Sequence, residues 1–452
     1  MKATDHEIAI ALEAWLDETK SIINEQLYDL TQLIGFPRWY ALPSGGFKHF
    51  PYTAMYKPFL LEEAIFQNNP KWPEVKRLAY NHGNLRTHFS RFFQTASGSG
   101  RSFSLEELSK LLLPKLGLNG EHSIFADAEF ESTPRVREFL EAINSDSVQQ
   151  LTIWPIRGLV TEGPVVLDKF TEFRELNVEE KLQCLNFGII RPHILQELVP
   201  ERSCWFGLCR TTNDQKIFDD DAEPDFQAFE NRMADQEQVL EDFLVAVPLT
   251  NGRVAFHAGG FGSAPHFETG NILAFTIGRQ GGTTNDHLFM NYDNGTRLNS
   301  EDAIELQEMW SFIRGRQQGP FHKRVRNAAR RLFYAETRSK PEDVIIDLMI
   351  AAESLYLSTE KDELSYRMSL NAALWADLGG SEKREVVAIF KKAYNLRSKV
   401  VHGSAAIQAK IIESNNEIKP ILSDGIRKAM HYLNENAEAP DWESMIFPNL
   451  DS

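Results

Sequence analysis

Arg397 and His402 are separated by four residues, and His402 is followed directly by Gly403. A guanidinium is a permanent cation whose planar fork of donors grips phosphate oxygens, and an imidazole exchanges a proton near neutral pH. Brought to one phosphodiester, the two groups can bind it, stabilise the charge that develops on it and move the proton of the attacking or leaving oxygen. The same loose spacing recurs at Arg77 to His82 (RLAYNH, then Gly83) and at Arg316 to His322 (RQQGPFH). Spacing alone therefore selects nothing, and the elements that carry each pair must decide.

The stretch SEKREVVAIFKKAYNLRSKVVHG predicts a helix from about Glu382 to His402, with Val386, Ile389, Phe390, Ala393, Leu396 and Val400 at helical spacing. Gly403 is the favoured left-handed terminator, so His402 falls at the carbonyl end, where the helix potential favours imidazolium. Five residues rise roughly 7.5 Å, within reach of a long Arg397 side chain. A second helix is predicted over Pro341 to Leu357 (PEDVIIDLMIAAESLYL), with Pro341, Glu342 and Asp343 in a favourable first turn. In it Glu353 sits at the edge of the apolar stripe and needs a cation, for which Arg367 and Arg397 are the candidates. Arg316 lies in a Gly/Pro loop and Arg77 has no comparable partner helix, so Arg77 and His82 serve as a control pair. A structural role stays open, with Arg397 fixing helix packing through Glu353 and His402 bonding the last carbonyls.

With AAESLYL, ELSYRMSLNAALW and AYNLRSKVVHG in line, the segment from Arg330 to Gly403 resembles the HEPN superfamily, in particular the ApeA-like HEPN domain of anti-phage proteins. Arg397-x4-His402 fits the Arg-x(4–6)-His signature of that superfamily. The resemblance implies an all-α helical bundle that assembles as a homodimer or higher homo-oligomer, with the Arg and His of two subunits forming a composite cleft. It further implies a metal-independent endoribonuclease leaving 2′,3′-cyclic phosphate ends, with Arg397 on the scissile phosphate and His402 in acid/base transfer. Glu353, Arg367, Ser398 and Tyr394 would support the site. The residue after the motif Arg is often Asn, Asp or His in that family and here is Ser398, a phosphate hydrogen-bonder but a poor general base. An inactive HEPN dimerisation or binding module attached to a sensing domain is therefore the alternative.

Charge fits an RNA partner, tRNA being one candidate. From Trp310 to His402 there are 17 Lys plus Arg against 11 Asp plus Glu, within a chain of net charge -16. Arg324, Arg326, Arg330, Arg331 and Lys399 are the candidate phosphate contacts, a solvated or ion-paired helix face being the commoner use of such residues.

The 452 residues, at about 150 per domain, suggest two or three domains, and 42% hydrophobic with 25% charged residues excludes extensive disorder. The expected class is α+β multidomain. Residues 1–145 read as a mainly helical region, opened by a Thr4/Glu7 capping box, and 146–299 as a mixed, β-rich α/β domain. Residues 300–440 read as the helical HEPN-like domain and 441–452 as a tail. In the middle domain, strands are predicted over Leu151 to Val160, Val165 to Leu167, Gly252 to His257 and Asn271 to Gly278, and a long helix from Asp225 to about Leu244. The acids suit no signal peptide at the N-terminus and no apolar run is long enough to span a bilayer, so a cytoplasmic protein without a membrane partner is expected.

No cofactor or metal is expected. Cys184, Cys204 and Cys209 form no Cys-x-x-Cys pair, and His193, His257, His266 and His287 lack ligand spacing. Asp219, Asp220 and Asp221 read as a solvated helix approach rather than a cation loop, and ASGSGRS and HAGGFGS as connections rather than phosphate cradles.

Overall fold

Thr4 and Glu7 do form the reciprocal cap: the Thr4 amide donates to Glu7 Oε2 at 2.8 Å, and the Glu7 amide to Thr4 Oγ1 at 3.3 Å. From there α1 (Asp5–Glu25) runs with Ile8, Leu12, Trp15 and Leu16 wholly buried along one stripe. The structure is a computed structural model. It describes residues 2–25, 39–41, 47–49, 63–95, 100–101, 103–110, 112–113, 118–119, 122–123, 131–157, 159–178, 180–181, 184, 206–219, 226–251, 256–257, 261–262, 296–315, 319–357, 363–376, 378–403, 408–436 and 438–446. Outside them fall Cys204, Asp220, Asp221, His193, His266, His287, Arg316, the glycines of ASGSGRS other than Gly100, Gly259, Gly260 and the strand expected at Asn271 to Gly278.

Helices predominate, with an antiparallel sheet in the middle of the chain and a helical C-terminal region. Residue contacts divide the chain into two units. One comprises Met1–Pro164, Phe170–Gln236 and His257–Asp293; the other comprises Val165–Lys169, Glu237–Phe256 and Asn294–Ser452. The N-terminal region and most of the middle region thus fall in one unit, while Val165–Lys169 and Glu237–Phe256 join the C-terminal helices.

In the first unit α1 packs with α2 (Trp72–Ala79), α3 (Gly83–Ser90), the short α4 (Leu105–Lys110) and α5 (Ser132–Asn144) around one apolar core. Trp15 anchors it, stacked on Phe66 at 5.7 Å and donating its indole N–H to the Ile65 carbonyl at 2.8 Å. The sheet is built on β1 (Phe92–Thr95), β2 (Ser147–Arg157), β3 (Thr171–Glu175) and β4 (Phe206–Asp219). β4 pairs antiparallel with all three others: Phe206 faces Ile156 on β2, Arg210 faces Thr171 on β3, and Asp219 faces Phe92 on β1. Trp154, Phe173 and Leu208 are fully buried on it. Cys184 and Cys209 are free and buried, and burial raises both thiols far above the usual range, so they are core residues.

The long helix of the middle region, α6, spans Phe226–Asn251 and runs further than the sequence suggested, through Pro248. In the second unit follow α7 (Ser300–Arg314), α8 (Pro320–Thr337), α9 (Pro341–Tyr356), α10 (Leu364–Trp375), α11 (Gly380–Val401) and α12 (Gln408–Glu435). The first three start where the chain supplies a helix opening. Asn299 forms a full capping box with Asp302, and Pro320 and Pro341 occupy the first turns of α8 and α9. The broad apolar face of α9 buries Ile345, Leu348, Met349, Ala352, Leu355 and Tyr356 among α8, α11 and α12. Tyr356 meets Phe390 of α11 edge-on at 5.7 Å, and Trp375 of α10 donates to the Gly425 carbonyl of α12 at 2.9 Å. Each such fully buried large side chain is worth roughly 1.5–3 kcal/mol. Asp347, the acid interrupting the apolar run, is buried and held by Arg331 at 2.8 Å and Arg338 at 3.0 Å. Among the described residues no helix is long and apolar enough to cross a membrane.

Candidate functional site at the end of α11

The apolar positions of α11 bury Val386, Phe390, Ala393 and Leu396, which turns the intervening polar residues toward its other faces. The helix stops because Gly403 takes φ +66, a conformation that costs any residue with a Cβ. The His402 amide donates to the Ser398 carbonyl at 3.0 Å and that of Gly403 to the Val400 carbonyl at 3.1 Å, closing the last turn. His402 is solvent-exposed at this carbonyl end. Lys399 is exposed, and Ser398 and Tyr394 are half-buried.

Arg397 is also half-buried, but its Nε is sealed from water with no hydrogen-bond partner. Glu353 of α9 lies half-buried nearby; burial pushes its carboxyl above the usual range, and the Arg397 charge pulls it part of the way back. Between the two cations considered for Glu353, Arg397 is therefore the one whose field reaches it, acting through space. Arg367 is half-buried on α10. Tyr394 shares with Glu363, Leu364, Ser365 and Tyr366 the wall of an open hollow of about 600 Å³.

The arginines of α8 have internal partners. Arg324 donates from Nε to the Ser354 carbonyl at 2.9 Å and also binds the Leu357 carbonyl, capping the end of α9; burial lowers its pKa. Arg326 reaches the Gly315 carbonyl at 3.5 Å, and Arg331 pairs with Asp347. Arg330 and Arg314 each lie 3.3 Å from Asp242 of α6, which is buried and also receives a 2.8 Å bond from Gln238. Sequence reading offered this set as a phosphate surface. The acceptors it missed, Asp242 and the carbonyls ending α9, lie up to 88 positions away in the chain.

The control pair is built differently. Arg77 is exposed and forks onto Glu74 of its own helix at 2.6 and 2.7 Å. His82 is buried and caps α3, its Nδ1 accepting from the Leu85 amide at 3.2 Å while Nε2 faces Asp5 at 2.6 Å. Both side chains are committed to local architecture. His322, the imidazole of the third loose match, is buried and stacked on Phe312 at 5.3 Å. Among the described residues no group of three or more His, Cys, Asp or Glu could hold a metal ion. No family model, curated protein or solved structure matches the chain.

Proposed function

We propose that the C-terminal helical region is a HEPN-type, metal-independent endoribonuclease, acting in anti-phage defence under restraint from the N-terminal region. The observation that carries this reading is the end of α11, where the Arg397 Nε lacks a partner and His402 stands in solvent one and a half turns on. Arg324 of α8 contrasts with it, its Nε donating to the Ser354 carbonyl and its guanidinium committed to the end of α9. In the reaction the RNA 2′-oxygen bonds to phosphorus, the bond to the 5′-oxygen breaks, and a cyclic phosphate and a 5′-hydroxyl result. Arg397 holds the phosphate and offsets its growing negative charge, and His402 transfers the proton between the 2′-hydroxyl and the leaving oxygen. Pairing of two subunits would bring a second Arg397 and His402 to the same cleft. Restraint follows from the chemistry, since an unchecked RNA cutter harms its host.

Purified protein incubated with tRNA or total RNA in EDTA should release fragments ending in 2′,3′-cyclic phosphate. Arg397→Ala and His402→Ala should abolish the fragments, and Arg77→Ala should not. Fragments unchanged in both of the first two variants would assign the cleavage to another site. A second reading, an inactive helical dimerisation or binding module, is favoured by one feature, the weakly basic Ser398 after the motif Arg. It predicts self-association without RNA fragments.

A further inference from the structure

Lys391, Tyr394, Ser398 and His402 recur at intervals of three, four and four residues, which places them on one stripe of α11. Tyr394 of this stripe lines, with Glu363, Leu364, Ser365 and Tyr366 of the α10 start, the open hollow, about 12 Å of helix rise before His402. Tyr366 keeps 52% of its surface in solvent, a large aromatic residue left outside the core. The Lys391 ammonium lies 5.1 Å from its ring centroid.

We propose that this hollow is a nucleobase subsite for single-stranded RNA, feeding the strand toward Arg397 and His402; the assignment rests on the ribonuclease reading of that helix end. Single-stranded RNA is read by stacking its bases on aromatic side chains while cations track the backbone. Tyr366 and Tyr394 supply the aromatic surface, and Lys391 supplies the cation beside it. Glu363 on the rim repels a phosphate but accepts hydrogen bonds from base amino groups, so the base rather than the backbone enters. The volume of about 600 Å³ accommodates a base with its ribose, and the hollow is open to solvent, so a strand can enter and leave it. Ser398, half-buried between the hollow and His402, can donate to the intervening phosphate.

The test is fluorescence anisotropy with a labelled single-stranded RNA 12-mer in EDTA, on the full chain carrying His402→Ala so that the probe stays intact. Tyr366→Ala, at an exposed position where the fold tolerates truncation, should weaken binding about 5- to 100-fold, the worth of one stacked base. Tyr366→Trp should restore it. A 12-mer with abasic sites should bind weakly and show no response to Tyr366→Ala. Equal affinity in Tyr366→Ala, equal affinity for the abasic probe, or no RNA binding at all would overturn the subsite. A mononucleotide bound as tightly as the 12-mer would also overturn it, in favour of a small-molecule site. The two readings fail separately. Cleavage that needs Arg397 alongside unchanged binding in Tyr366→Ala removes only the subsite. Binding that needs Tyr366 in a protein that never cuts RNA removes only the nuclease.

Discussion

At the residue scale, two titrating groups report on their surroundings with opposite signs. His88 is buried with its Nδ1 2.7 Å from the Asn84 carbonyl, so that nitrogen carries the proton and Nε2 faces the Lys216 ammonium at 3.3 Å as an acceptor. Burial, with the Lys216 charge, pushes the imidazole down to about 4, and burial lowers Lys216 to about 8. A depressed pKa contributes stability that is present above about 6.5 and lost as the pH falls through about 4. Denaturant titrations between those values should show the native chain losing up to about 3 kcal/mol more than His88→Gln, which does not titrate. Parallel slopes would contradict the buried, neutral ring. Glu353 is the reverse case, its carboxyl raised by burial against the partial offset from Arg397. Its contribution is full below about 4.5 and is lost as the pH rises through the folded value. Glu353→Gln should therefore melt higher than the native chain at neutral pH, the gain vanishing in acid; a lower melting temperature at neutral pH would show that the Arg397 charge outweighs burial.

At the scale of elements, the crossing of α9 and α12 is set by Gly425. A Cβ there would collide with the hydroxyl of Tyr356 and crowd Leu355 Cδ2 at 3.3 Å. Tyr356 is wholly buried and cannot retreat. Gly425→Ala gains about 1 kcal/mol of helix propensity but loses about 1–3 kcal/mol to overpacking, so it should lower the denaturation midpoint. Gly425→Ser should lower it further, and an unchanged midpoint in both would show that the helices slide apart freely. Legibility in the sequence varied by element for physical reasons. α9 and α11 were readable because first-turn Pro341, terminal Gly403 and the apolar spacing are local signals. β4 was missed, since TTNDQK in its second half is polar and its identity as a strand comes from Gln149, Gln150 and Thr152 across the sheet. α6 runs past the expected Leu244 to Asn251 with Pro248 inside it, because Val245, Ala246, Val247 and Leu249 are buried.

At the scale of the whole molecule, positive charge concentrates between Trp310 and His402 in a chain of net charge -16. Much of that charge is spent on internal acids and carbonyls, as Arg324, Arg330 and Arg331 show, whereas among the described residues no ion pair holds the half-buried Arg397 at the end of α11, whose Nε also lacks a partner. The pair Arg397 and His402 was legible from helix spacing and the glycine stop. The hollow at Tyr366 was not, because exposure of an aromatic on a helix that also buries Met368 and Ala372 depends on how α10 meets α11. The central claim is that these two side chains perform chemistry rather than packing. Single-turnover RNA cleavage in EDTA measures this most directly. Arg397→Ala and His402→Ala should each slow it at least about 100-fold in protein that stays folded at the assay temperature, the exposed His402→Ala with its melting temperature unchanged. Full rates in both stable variants would contradict it.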